Sequence, residues 1–141
     1  MTRVDFYLLG HGGGDDRARV ACRLAEKAYR LGHRVYLLAP DAATASELDE
    51  LLWTFSQGSF VPHGLAGAAD AAEQPVLVGH AEPPPAFHDV LVSLAGEIPA
   101  WFSRFSRVAE LVGADEDSKA RGRERFRFYR ERGYPLDTHN L

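Results

Sequence analysis

The chain has a single cysteine, Cys22, so no disulfide can form within its 141 residues, and the fold must be held by packing and hydrogen bonds. In a helical pattern Cys22 reads as a core or helix-surface thiol rather than a nucleophile. Long apolar runs are missing as well. No stretch approaches the roughly 18 residues of a spanning helix, and the start opens into a strand pattern without a signal-peptide layout, so cytoplasmic residence is expected. The histidines at 11, 33, 63, 80, 88 and 139 show no close metal spacing, and one cysteine does not complete a zinc site. There is no G-x-S-x-G element, no Gly-Lys-Ser/Thr phosphate loop, no convincing acid pair for acid–base work and no internal repeat. Neither a cofactor nor intrinsic catalysis is expected. Positive charge is not in excess either: 16 basic against 20 acidic residues leave −4, which argues against general coating of nucleic acid.

What is present is charge placed unevenly. Residues 119–132 hold seven basic side chains (Lys119, Arg121, Arg123, Arg125, Arg127, Arg130, Arg132) against Glu124 and Glu131, a local surplus of five, so the remainder of a chain at −4 stands at −9. A cationic element on an anionic body suits an acidic partner. At 100° per residue, Lys119, Arg123, Arg127 and Arg130 fall within an arc of about 80° with Phe126 at its edge. Gly122, Tyr129 and Gly133 lie beside Phe126 on the less charged side. Such a stripe, bordered by an aromatic ring, fits a ligand with both carboxylates and an apolar group, and two acids within the run are too few to neutralise it.

At this length and with 45% hydrophobic residues, one α/β domain spanning 1–141 with a sizeable core is expected. Val4 to Leu9 reads as a buried strand; Asp15 or Asp16 would cap a helix that runs to Leu31 and stops at Gly32. Arg34 to Ala39 reads as a second strand, and Asp41 would cap a helix to about Trp53 with Leu48, Leu51 and Leu52 on its apolar face. This order predicts a right-handed crossover and parallel pairing of the first two strands. Phe55 to Gly67 is expected to be an ordered loop with exposed apolar groups, and Ala68 to Gln74 a surface loop. Val76 to Gly79 and Asp89 to Leu94 read as strands around Pro83-Pro84-Pro85. Ile98 to Phe105 fits a short helix with Pro99 in its first turn, Arg107 to Val112 a last strand, and Asp115 to Arg132 the basic helix.

Two further features carry possible function. Gly10 and Gly12 fill the first two places of a G-x-G-x-x-G pattern, but Asp15 takes the third, so nucleotide binding through Gly10–Gly14 stands as the alternative reading and a flexible strand-to-helix connection as the simpler one. Leu48-Asp49-Glu50-Leu51-Leu52-Trp53 followed by Ser59-Phe60-Val61-Pro62-His63 places large aromatics at a helix end and a loop. This is the chemistry of an apolar protein interface, although Trp53 and Phe60 packed on each other over the sheet would read the same way.

These residues resemble the chi subunit family of bacterial DNA polymerase III over nearly the whole chain. The resemblance runs through Phe6-Tyr7-Leu8-Leu9, Leu48-Asp49-x-x-Leu52-Trp53, Ser59-Phe60-Val61-Pro62-His63-x-Leu65-Ala66-Gly67, Asp89-Val90-Leu91-Val92-Ser93-Leu94, Asp117-Ser118, Arg123-Glu124-Arg125-Phe126-Arg127-x-Tyr129-Arg130 and Gly133-Tyr134-x-Leu136. It implies a Rossmann-like three-layer α/β/α domain with a mainly parallel sheet and a basic C-terminal helix. It also implies a non-catalytic accessory protein of the clamp-loader assembly, monomeric or in a heterodimer. One surface would bind the acidic, Phe-ending C-terminal tail of single-stranded-DNA-binding protein, another the psi subunit or a different clamp-loader component, and DNA would be met only indirectly. The matched tail positions are Lys119, Arg123, Phe126 and Arg127, with Val112 and Thr138 at the borders; psi docking maps to Trp53, Phe60 and Val61. The family often has Tyr at Phe126 and Lys at Arg127, so charge is kept while a tyrosyl hydroxyl contact is lost. A contact this small implies micromolar affinity, on the order of −8 kcal/mol, that weakens with salt.

Overall fold

Seven short strands, most of them β-branched and apolar, make one sheet in which every pairing is parallel. The computed structural model describes residues 1–10 and 14–141. The strands are β1 (Arg3–Leu8), β2 (Val35–Leu38), β3 (His63–Leu65), β4 (Val76–Gly79), β5 (Val90–Ser93), β6 (Arg107–Val112) and β7 (Leu136–Asn140). The helices are α1 (Gly14–Arg30), α2 (Ala42–Thr54) and α3 (Glu116–Glu131). The spatial order β3-β4-β2-β5-β6-β1-β7 sends α1 and α2 one way along the sheet and α3 the other. Because parallel crossovers are right-handed, opposite directions put helices on opposite faces, and a three-layer α/β/α architecture follows.

Each face has its own core. On one, Val20, Ala21, Cys22, Ala25 and Ala28 of α1 and Ala45, Leu48 and Leu52 of α2 cover Leu37, Val78, Val92 and Leu111. On the other, Tyr129 of α3 joins Phe87, Phe102 and Phe105 over Val4, Phe6, Leu91 and Val108. Buried Cys22 has its thiol pKa pushed up to about 12 by desolvation, which makes it a packing residue.

Helix ends follow local chemistry. Asp41 accepts from the Thr44 amide at 2.7 Å and Asp115 from that of Ser118 at 3.0 Å, so both α2 and α3 start on a side-chain cap. Gly32, at φ +89°, closes α1. Asp15 and Asp16 stand inside the first turn of α1, which begins at Gly14, and not at its cap.

Several expectations need correction. β1 and β2 are parallel but not neighbours: β5 and β6 lie between them, because β6 matches β1 over six residues and takes its inner edge. Within the expected 55–67 loop, His63–Leu65 pairs with β4 as an edge strand. The expected 98–105 helix is only a 3₁₀ turn at Phe102–Arg104, since Phe102 and Phe105, three residues apart, are both drawn down onto the sheet. Arg107–Val112 is not the last strand; β7 follows α3 and pairs with the outer edge of β1.

Candidate functional site

The alternation of β1 turns Phe6 and Leu8 toward α3, and Val112 ends β6 on the same side. Across from them α3 presents Gly122, where a Cβ would meet Val112 Cγ1 at 2.9 Å and Cγ2 at 3.0 Å. Only a glycine lets the helix sit this near the strand. Phe126, one turn on, meets Phe6 edge to face with ring centroids 5.3 Å apart. Between these walls opens an apolar cleft of about 350 Å³, lined by Phe6, Leu8, Leu9, Val112, Gly113, Lys119, Gly122, Arg123, Phe126 and Thr138.

Beneath the cleft α3 is anchored by a buried polar triad. Glu110 sits mid-strand in β6 at 0% exposure, receives Arg125 Nε at 3.0 Å on one oxygen and the Tyr129 hydroxyl at 2.7 Å on the other. Burial raises the Glu110 pKa, opposed by the charge of Arg125 and by the hydrogen bonds from Tyr129 and Arg125. The Tyr129 hydroxyl is raised too, by burial and by the neighbouring carboxylate. Arg125 also donates to the Gly96 carbonyl at 3.2 Å, so no buried side-chain polar atom among the described residues lacks a partner.

The rim is cationic. Lys119 lies 4.0 Å from exposed Glu116, and Arg121 lies 3.2 Å from Asp117, so acids upstream of the basic run satisfy part of it. Arg125, counted in that run by sequence, is only 6% exposed and belongs to Glu110. Among the described residues no carboxylate lies within 4.0 Å of Arg123, Arg127 or Arg130. Arg130 reaches back so that its Cζ stands 6.0 Å from the Phe126 ring centroid. An apolar slot with Arg123 at its rim, and Arg127 and Arg130 beyond it, all without an acid partner among the described residues, can take an apolar group attached to carboxylates.

Of the residues marked by sequence, the structure gathers Val112, Lys119, Arg123, Phe126 and Thr138 around this cleft; Arg127 lies a turn beyond Arg123 on the exposed face. Sequence reading missed Phe6, Leu8, Leu9 and Gly122 as cleft residues. A lone glycine on the apolar side of a helix was the available signal, since it implies a close approach. A second surface forms at the far edge of the sheet. Trp53 and Phe60 are 54% and 64% exposed with rings 5.8 Å apart, while Val61 is buried in the core. His63 ties this loop to α2, its ring nitrogens 2.6 Å from the Val61 carbonyl and 2.8 Å from that of Asp49, and Trp53 lies on its ring at 4.4 Å.

The nucleotide alternative rests on Gly10–Gly14, and residues 11–13 of that turn lie outside the described residues. No cluster of metal-ligating side chains is found among the described residues.

Comparisons with known proteins converge on one family. Residues 1–137 match the family described as DNA polymerase III chi subunit, HolC. The DNA polymerase III subunit chi of Pseudomonas aeruginosa is 50% identical over 141 residues, covering 100% of this chain and 98% of that protein. That of Escherichia coli is 32% identical over 143 aligned positions, covering 98% and 97%. Among solved structures, T4 UvsW matches 99% of this chain and 41% of its own with a TM-score of 0.70 at 8% identity, a likeness of fold alone.

Proposed function

The chain belongs to the DNA polymerase III chi subunit family, and on that premise we propose that it is a non-catalytic accessory subunit that holds the acidic C-terminal tail of single-stranded-DNA-binding protein in the α3 cleft. The observation that carries this reading is the pairing of an apolar slot, walled by Phe6, Val112 and Phe126, with Arg123 unneutralised at its rim and Arg127 likewise a turn beyond it. The terminal aromatic ring enters the slot, and basic groups take the terminal carboxylate and the preceding aspartates. The Trp53 and Phe60 surface supports docking of the psi subunit or another clamp-loader component, with Val61 fixing the loop from inside. DNA is then met through the tail-bearing partner, and the setting is the cytoplasm; no helix among the described residues is long and apolar enough to cross a membrane.

Titration of a labelled tail peptide, with and without its final Phe, followed by anisotropy at two salt concentrations tests the reading. Saturable micromolar binding that weakens with salt and disappears without the Phe is expected. Absence of binding at high micromolar protein would overturn it.

A further inference from the structure

Resting on the tail reading, we infer that the bound peptide runs antiparallel to α3, and that Arg130 is a further recognition residue that reads carboxylates upstream of the terminal ring. Charge on the two sides of the cleft is opposite. Toward the start of α3 stand Asp115, Glu116 and Asp117, all exposed, with Lys119 already near Glu116. Toward its end stand Arg127 and Arg130, with no carboxylate within 4.0 Å among the described residues. Glu124 and Glu131 lie on the side of the helix turned away from Phe126 by the 100° step. An acidic segment leaving the cleft therefore meets the carboxylates of Asp115 and Glu116 in one direction, Asp117 being turned to the far side with Arg121, and two open guanidinium groups in the other.

The side-chain geometry agrees. Helical side chains lean toward the N-terminus, and Arg130 leans over Phe126, one of the cleft walls, at 6.0 Å. Arg123 to Arg130 spans about 10 Å of helix at 1.5 Å per residue, which about three residues of extended peptide would match. A terminal carboxylate at Lys119 and Arg123 thus places aspartates two to four residues earlier beside Arg127 and Arg130.

A double-mutant cycle across the interface decides this. The probes are a synthetic peptide of several aspartates ending in Phe, the same peptide with Asp→Asn three places before the Phe, and its C-terminal amide. Against Arg130→Ala in the full chain, the asparagine change should couple by about threefold and the amide not at all, whereas Arg123→Ala should couple to the amide. Arg130→Lys should keep most of the affinity. Coupling of Arg130 to the terminal amide, or additivity with both changes, would overturn the orientation while leaving the tail site standing. Failure of the unaltered chain to bind any of the peptides would overturn the tail reading itself and this inference with it.

Discussion

Arg123 and Arg125 are two positions apart and should fail in opposite ways. Arg123 is exposed at the cleft rim, so Arg123→Glu leaves the fold intact, as far-UV circular dichroism would report, and weakens tail binding by well over tenfold, about 1.4 kcal/mol or more. Arg125 neutralises buried Glu110, so Arg125→Ala strands a charge in the core and should lower unfolding free energy by about 3–5 kcal/mol. A denaturant melt of the two variants checks the contrast; equal stability loss would refute it. Gly122→Ala pits two effects against each other. Alanine's helix propensity favours it by about 1 kcal/mol, but its methyl meets Val112 at 2.9 Å, and overpacking of that kind costs about 1–3 kcal/mol. The clash should win, with a thermal midpoint lower by a few degrees and weaker peptide binding because the methyl fills the cleft floor. A count of charges could not separate Arg125 from its neighbours, yet the sequence held the clue. A Glu inside the apolar run Val108-Ala109-Glu110-Leu111-Val112 needs a buried partner, and the helical step puts Arg125 beside Tyr129, away from Phe126.

Elements were readable where they are apolar on a regular period and hidden where they are not. β2 and β4, buried along their whole length, announce themselves as continuous apolar runs. β7, with the sequence Leu-Asp-Thr-His-Asn, does not: it is an edge strand, mostly exposed, bound only to β1, and yet it brings Thr138 to the cleft. What fastens it is polar. Asp5 of β1, almost fully buried, accepts Arg107 Nε of β6 at 2.8 Å and lies 3.0 Å from His139 Nε2 of β7, while Arg3 pairs with Asp137. Burial alone would raise the Asp5 pKa, but hydrogen bonds from Arg107 and His139 outweigh it and hold the group below its ordinary value. The folded chain therefore keeps this carboxylate ionised to lower pH than the unfolded chain does. Its stabilisation is complete above the unfolded value near pH ~4 and is lost as pH falls through the lower folded value. Asp5→Asn should accordingly be less stable at neutral pH and show a flatter acid limb. Urea midpoints followed downward from neutral pH would show this, and an unchanged acid limb would refute it.

At the scale of the whole molecule, the two surfaces occupy opposite edges of one sheet. The Trp53 and Phe60 patch adjoins β3, and the α3 cleft lies over β6 and β1 with β7 at its border, four to six strand steps away. At about 4.8 Å per step the separation is roughly 19–29 Å, more than two Debye lengths at physiological salt. Charge at one surface is thus screened from the other, and among the described residues no strand or helix contributes to both surfaces. A bridging subunit needs this arrangement, because each partner must be held without displacing its counterpart. Affinity for the tail peptide should then change by less than about twofold when the clamp-loader partner is saturating, since sites without a shared two-state element have little coupling free energy. Phe60→Asp should abolish capture of that partner and leave the peptide isotherm unchanged, while Arg123→Glu does the reverse. Co-precipitation with purified partner, run beside anisotropy on the same variants, reads both. If Phe60→Asp instead lost the peptide and kept the partner, the assignments of the two edges would have to be exchanged; if each variant lost both, the edges would be coupled, and the separation across the sheet would not insulate them.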